Sequence, residues 1–212
     1  MAALQRHSPV EFSVHPVKTT IRDNWEVVLE YEDEVKGPHL VDLSHRKRWD
    51  VQSSNLSTIR PGEVNIPEIP NQCTFQNGLL IKRMNLTQAH VWHIYGDKLE
   101  MPTISAFTDV TESSIFLALM GHDIFFIAEK LTSLDLLNPA KEPLFLLQGP
   151  FSHIPSQVVV MDRKNNSGVI LFTCSRGYAW DMVDAILEAG EEFGLRPAGE
   201  NAFTGYLENG SV

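Results

Sequence analysis

The protein has 212 residues, 43% of them hydrophobic, and a formal net charge of −10 at pH 7. The length and the apolar content predict a globular chain and exclude a disordered one. The negative charge disfavours nucleic-acid binding, and no apolar run approaches the roughly 20 residues that a membrane helix needs. We therefore expect a cytoplasmic protein with neither nucleic-acid nor membrane partners.

The first half of the chain predicts strands in chain order. Residues 25–31 alternate between apolar and polar side chains, and residues 40–51 are read as one second strand. Residues 79–84 and 90–95 flank the turn NLTQA and predict a hairpin. Three prolines within 61–70 predict an extended connection before that hairpin.

The second half predicts a strand, a helix, a hairpin, a second helix and a last strand. These elements are expected at residues 115–120, 124–131, 157–162 with 168–174, 180–193 and 202–207. The first strand is apolar at nearly every position, which is typical of a strand covered on both faces. The order of the elements is that of a split β-α-β, ferredoxin-like sheet with helices on one face.

The predicted fold class is α+β, with two similar lobes built from antiparallel or mixed sheets. A faint echo supports the similarity, because residues 41–51 and 108–118 both place an Asp and then a Ser or Thr before a strand. The expected segments are an N-terminal arm with the first strand, two lobes and a C-terminal tail, packed as one compact unit. Their boundaries are 1–34, 35–104, 105–198 and 199–212.

Two strand-to-helix joints contain residues that resemble catalytic groups. His122 and Asp123 have no nucleophile beside them, so Asp123 is interpreted as a helix cap. Cys174 and Ser175 lack the Gly-x-Ser-x-Gly frame, so Ser175 is interpreted as the cap of the second helix. The sequence leaves open the roles of His122, Cys174 and His153, the last of which lies in a segment that could contact a partner.

The chain shows no metal-binding pattern. Cys73 and Cys174 are far apart, which fits a reducing compartment and supplies no metal framework. His90 and His93 would point to opposite faces of a strand, so they could not share one ion. The basic run HRKR at 45–48 is interpreted as a solvated or partner-facing strand edge, although it could also bind an acidic tail.

Several segments resemble a known family. FTDVTESSIFLALMGHD (107–123), IAEKLTSLDL (127–136) and CSRGYAWDMVDAILEAGEEFGL (174–195) are similar to the folate-binding aminomethyltransferase superfamily, which includes the T-protein of glycine cleavage. RKRWDV (46–51) and IPEIPNQ (66–72) resemble its small branch, the gamma subunit of heterotetrameric sarcosine oxidase. The resemblance spans roughly residues 35–200 and implies the folate-binding fold of that superfamily.

The resemblance implies a non-catalytic role. The T-protein pattern places a catalytic aspartate where this chain has SHIPSQVVV (152–160), which offers Ser156 and Gln157 instead. Neither side chain titrates near neutral pH, so neither can act as the general acid or base of methylene transfer. The methionine that lines the folate pocket in that pattern is also absent. No catalytic residue is therefore predicted.

The favoured function is an accessory subunit of a sarcosine oxidase-like oxidoreductase complex in one-carbon metabolism, with the flavins in partner subunits. The chain alone is expected to bind no cofactor, although tetrahydrofolate remains possible, with Asp109 and Asp42 as candidate contacts. For both aspartates the competing interpretation is a turn residue, whose carboxylate would accept the N–H of Thr111 or Glu112 in the case of Asp109.

Two alternative functions remain, a stand-alone tetrahydrofolate-dependent aminomethyl or methyl transferase and a free folate-binding or regulatory module. In the favoured case, apolar residues outside the resembling region are expected to form the interface with the partner subunits. They are Val10, Phe12, Val14, Phe203, Tyr206 and Leu207.

Overall fold

The computed structural model describes residues 5–34, 36–96 and 99–209. The strands are β1 Pro16–Arg22, β2 Trp25–Tyr31, β3 His39–Asp42, β4 Arg48–Gln52, β5 Cys73–Gln76, β6 Leu79–Arg83, β7 Gln88–His93, β8 Phe107–Asp109, β9 Ser114–His122, β10 Phe145–Phe151, β11 Ile154–Lys164, β12 Ser167–Ser175 and β13 Arg196–Ala198. The helices are α1 Ile124–Glu129, α2 Ala179–Gly190 and α3 Glu200–Glu208. None of the helices in these ranges is long and apolar enough to cross a membrane.

The strands form two large sheets and a hairpin. The six-stranded sheet has the order β10-β11-β12-β9-β3-β13, in which only β3 and β13 run parallel. The five-stranded sheet has the order β5-β6-β7-β4-β8 and is antiparallel throughout. Among the strands of the described residues, β1 pairs with β2 alone.

The six-stranded sheet is covered on both faces. Ile115, Leu117 and Leu119 of β9 point towards α1 and α2, while Phe116 and Ala118 point the other way. On that second face the five-stranded sheet packs with Leu80 and Trp92, and α3 adds Phe203. The far face of the five-stranded sheet has its own core around Trp49, Ile81 and Val91. Because β9 is buried on both sides, its sequence is apolar without alternation.

The structure confirms the α+β fold class and most of the predicted elements. β9 is central, β6 and β7 form the first predicted hairpin, and β11 and β12 form the second. The second hairpin turns at Asn165, which has a φ of 55°. Helices α1 and α2 lie where the 3.6-residue spacing indicates.

Two element predictions were wrong, and five strands, β1, β5, β8, β10 and β13, were not predicted. Residues 202–207, predicted as a strand, lie in helix α3, because Phe203, Tyr206 and Leu207 at i, i+3 and i+4 face the same core. Residues 40–51 form two strands in different sheets, separated by a turn over 43–47. β10 was not predicted, although its pairing with β11 extends over seven residues.

The Asp42 and Asp109 carboxylates each hold a turn. Asp42 Oδ1 accepts the N–H of Ser44 at 2.9 Å, and Asp109 Oδ1 accepts the N–H of Thr111 at 2.9 Å. The turn predicted from residue types is therefore present at both sites, and it is the turn at Asp42 that ends β3.

The two similar segments, 41–51 and 108–118, bind each other through hydrogen bonds from equivalent residues. Ser44 Oγ accepts the N–H of Phe116 at 3.1 Å, and Thr111 Oγ1 accepts the N–H of Arg48 at 3.0 Å. Each hydroxyl thus binds the backbone at the start of the strand that follows the other turn. Buried Arg48 also joins the two segments, because its guanidinium group donates to the carbonyl oxygens of Ser44, Thr111 and Ser114.

Each of the two large sheets contains strands from both sides of residue 105, the predicted boundary between the lobes. β3, from the segment predicted as the first lobe, pairs with β9, while β8 pairs with β4 in the other sheet. The boundaries proposed from the sequence stay predictions. Residues 1–4 of the arm and 210–212 of the tail lie outside the described residues.

The apolar residues predicted to form an interface mostly lie in the protein's own core. Val10 and Phe203 are buried, at 8% and 0% exposure, and Phe12, Tyr206 and Leu207 pack against the two cores of the six-stranded sheet. That prediction was wrong because it took both termini as peripheral. The N-terminal segment runs across the helix side of the six-stranded sheet, and the C-terminal segment is a helix that covers the other side.

Candidate functional site

A cavity of about 610 Å³ lies between the two large sheets. β4 and β7 form one side, and β10, β11 and β12 form the other. Its volume is in the range of small-molecule sites. The polar side chains that line it include Arg48, Asp50, Gln88, His90, Gln148, Ser156 and Gln157, and the apolar ones include Trp92, Pro150 and Pro155.

Strand alternation places a carboxylate and an imidazole on the cavity side. Trp49 and Val51 of β4 enter the outer core, so Asp50 between them faces the cavity. Asp50 is the register partner of His90 on β7. As a result, His90 Nε2 lies 3.2 Å from Asp50 Oδ1, and Gln88 Nε2 donates to the same oxygen at 2.8 Å.

Gln157 links this pair to a buried lysine. Lys82 on β6 is 0% exposed, and its Nζ donates to Gln157 Oε1 at 2.6 Å while lying 3.1 Å from the centre of the Trp92 ring. Gln157 Oε1 is also 3.0 Å from His90 Nδ1. Four polar side chains therefore form one chain of contacts between the sheets, from Lys82 through Gln157 and His90 to Asp50.

This geometry selects one tautomer of the neutral imidazole. An amide oxygen can only accept, so Gln157 Oε1 accepts from His90 Nδ1 as it does from Lys82 Nζ, and in this arrangement Nδ1 carries the proton. His90 Nε2 is left with a lone pair, 3.4 Å from the Gln88 amide nitrogen and beside the Asp50 carboxylate. The pair can thus accept one proton at Nε2, and Asp50 would stabilise the imidazolium that results.

Burial shifts the pKa values of both basic groups downward. Burial lowers the pKa of Lys82 well below its ordinary 10.5, and Arg48 lowers it further while Cys73 opposes the shift. Burial, and then Lys82, lower the pKa of His90 to about 4, although Asp50 and Gln157 raise it. His90 is therefore neutral at neutral pH, which is the state that a proton acceptor requires.

The structure brings some of the sequence candidates into this cavity and leaves others outside. Ser156 and Gln157, which the resemblance aligned with the T-protein acid, line it. Asp42 and Asp109 do not. Cys174 also lines the cavity, and burial raises its pKa to about 12, so its thiol stays protonated and is a poor nucleophile.

Apart from His90, the remaining histidine candidates lie outside the cavity. His122 ends β9 and His153 lies in the turn between β10 and β11, both exposed. His90 and His93 open into different cavities. Within 5–34, 36–96 and 99–209, no group of three His, Cys, Asp or Glu side chains could hold a metal ion.

The two helix caps predicted at the joints were wrong. Neither Asp123 nor Ser175 accepts a capping hydrogen bond through its side chain. Asp123 adopts a left-handed conformation with a φ of 61°, which turns the chain sharply from β9 into α1. Ser175 is followed by a short 3-10 turn, so α2 begins only at Ala179.

Sequence reasoning missed Asp50, Lys82 and the partnership of His90 with Gln157. The one local signal was a lysine inside the apolar run LLIKRM, where Lys82 alternates with core positions on a predicted strand. Lysine is rarely fully buried without a partner, so this position deserved a functional interpretation.

The sequence matches no family model and no curated protein. Among solved structures, a chain of the heterotetrameric sarcosine oxidase from Corynebacterium sp. U-96, in complex with pyrrole 2-carboxylate, has a similar fold with a TM-score of 0.57. The two chains are 10% identical, and the match covers 73% of this chain and 84% of that one. At this identity the similarity shows a shared fold.

Proposed function

We propose that this protein is a non-catalytic, accessory subunit of a flavin-containing, amine-oxidising complex, comparable to the gamma chain of heterotetrameric sarcosine oxidase. The observation that carries the proposal is the shared fold with a chain of such a complex over 84% of that chain's length. Ser156 and Gln157, at the position where the resemblance places an acid, support a chain that does not perform the reaction itself. Flavins would belong to the partner subunits, and the assembly would be cytoplasmic.

An exposed strand supports the existence of a partner. Within the described part of the chain β1 pairs only with β2, which makes it an edge strand. Val17 and Ile21 of β1 are 63% and 60% exposed. Apolar side chains on an unpaired edge strand are typical of a surface that is covered in an assembly.

The double substitution V17K/I21K is expected to abolish assembly without unfolding the chain. Moving two lysine ammonium groups from water into an apolar contact costs free energy, whereas on the free hairpin both groups remain in water. The measurement is affinity purification of the tagged chain from its native host under mild conditions, scored by the flavin absorbance and the mass of what co-purifies. Deleting residues 1–20 would be a poorer test, because it removes most of β1.

Leu86, which is 74% exposed in the turn between β6 and β7, provides the matched control. L86K should retain the flavoprotein partner. The proposal is wrong if the tagged wild-type chain purifies alone as a monomer, and the interface is wrong if V17K/I21K retains the partner as well as L86K does.

One observation favours a second candidate function, that of a tetrahydrofolate-binding protein or transferase. The cavity between the sheets contains the residues at the position of the family's acid, and β4 supplies Asp50 beside them. A carboxylate from another strand, coupled to neutral His90, could replace the missing aspartate in proton transfer. Whether the chain then turns over or only binds folate depends on a one-carbon donor.

For this second candidate, calorimetric titration with reduced tetrahydrofolate is expected to give a micromolar Kd, or about 8 kcal/mol. D50N should weaken binding at least tenfold, because a carboxylate bond to a ligand N–H is replaced by a neutral one. D109N and D42N are the controls, since both positions lie outside the cavity and asparagine can keep each turn. If the wild-type chain does not bind tetrahydrofolate, this candidate function is excluded. If only D109N or D42N loses affinity, the binding site lies at that aspartate instead.

A further inference from the structure

A second cavity, of about 600 Å³, lies at the opposite face of β7, where the basic run HRKR meets the arm and α3. The residues that line it include Arg22, His45, Arg46, Lys47, His93 and Glu200. Five basic side chains from three separate parts of the chain thus converge on one cavity of a protein whose net charge is −10. The function proposed above uses none of them.

The turn at residues 43–47 explains why these side chains converge. As a strand, HRKR would direct alternate residues to opposite faces. In the turn, His45 Nε2 and Arg46 Nη2 instead reach the same carboxylate, Glu200, at 2.8 and 2.5 Å. Arg22 from β1 binds the second oxygen of Glu200.

The environment of Glu200 indicates that the electrostatic potential in this cavity is positive. Its side chain is 1% exposed, and burial raises its pKa, but His45, Arg46 and Arg22 together lower the pKa to about 2. The cations therefore outweigh the cost of burying a carboxylate. Three basic side chains therefore surround one buried carboxylate, an arrangement that favours oxyanions.

Glu200 does not use all the hydrogen-bond donors of the site. Arg46 Nε is buried and has no hydrogen-bond partner among the described residues. Lys47 Nζ lies 3.9 Å from Asp109 Oδ2, which is too far for a hydrogen bond. Arg22 reaches Glu200 through Nη1, and its side chain is 45% exposed. The unpaired Arg46 Nε is a costly buried donor, and an external anion would relieve that cost.

We propose that this cavity binds a small organic anion through a carboxylate or phosphate group. Lys47 and Arg22 would contact the oxyanion, and Arg46 would bridge it to Glu200. The volume suits a metabolite rather than an inorganic ion alone. The site lies away from Asp50 and His90, and it does not depend on the subunit role or on folate.

The test is a titration of the full chain at low ionic strength with inorganic phosphate and, separately, with succinate. At least one probe should bind saturably, and K47Q should weaken its binding about tenfold, since one charge-assisted bond is lost. Lys47 makes no hydrogen bond to Glu200, so the fold should persist in this variant. K47R, which keeps the charge, should restore most of the affinity.

Lys18 is the control, because it is an exposed lysine on β1 that pairs with Glu30 outside the cavity. K18Q should bind as the wild type does. Saturation by phosphate alone would identify a phosphate ester as the ligand, and saturation by succinate alone would identify a carboxylate. If neither probe saturates below about 10 mM, or if K47Q and K18Q bind equally, the proposal is wrong.

Discussion

Replacing Glu200 with alanine is expected to lower the free energy of unfolding by about 4 kcal/mol at neutral pH. Glu200 is the common partner of Arg22, His45 and Arg46, and it joins the arm, the turn at 43–47 and α3. Removing it leaves Arg46, which is 11% exposed, buried beside another cation without its carboxylate. An unpaired buried charge costs more than the pair contributes.

The pH dependence of this effect has a defined sign. The folded-state pKa of Glu200 is about 2, below its ordinary 4.5, so its contribution is complete above pH 4.5 and disappears as the pH falls towards 2. Denaturant unfolding of wild type and E200A should therefore converge over that range. E188A is the control, because Glu188 is exposed on α2, and it should change stability by less than about 0.5 kcal/mol. If E200A also lowers the free energy of unfolding by less than about 0.5 kcal/mol, this account is wrong.

Much of the fold could be predicted because its signals are local. The continuous apolar run of β9, the turn at Asn165 and the helical spacing of α2 are each contained within about a dozen residues. The turn at Asp109 was also predicted from residue types, since aspartate binds the N–H two residues later in many turns. α3 was wrong because a short apolar pattern such as AFTGYL fits both a strand and a helix until its packing partner is known.

The candidate site could not be predicted because it depends on pairing between distant strands. Asp50 meets His90 through the register of β4 and β7, and Gln157 reaches them only because the second sheet packs on the first. The same is true of Glu200, whose partner Arg22 lies 178 residues away. No local pattern encodes such contacts, so the sequence could not predict that Asp50, His90 and Gln157 meet in one cavity.

Lys82 is the position where stability and function are expected to conflict. Its ammonium group is 0% exposed, and its neighbours are the Gln157 amide oxygen and the Trp92 ring, neither of which carries a full negative charge. A chain selected for stability alone would place an apolar side chain there. Retaining a lysine fits a residue that fixes Gln157, and through it the proton on His90 Nδ1.

Replacing Lys82 with methionine is therefore expected to raise the free energy of unfolding by about 2 kcal/mol at neutral pH, because methionine fills a similar volume without a desolvated charge. In wild type the folded-state pKa of Lys82 is below its ordinary 10.5, so stability should rise as the pH rises towards 10.5, when the folded state loses the proton first. K82M should lack this rise.

The measurement is denaturant unfolding of wild type, K82M and the exposed-site control K18M from neutral to alkaline pH. His90 provides the second readout, since removing the lysine charge should raise its pKa from about 4 in an NMR titration. A stabilised K82M with a raised His90 pKa means that Lys82 is held against a stability cost in order to set the proton state of the cavity. A K82M variant that is destabilised by more than about 2 kcal/mol would instead make Lys82 a structural anchor between the sheets.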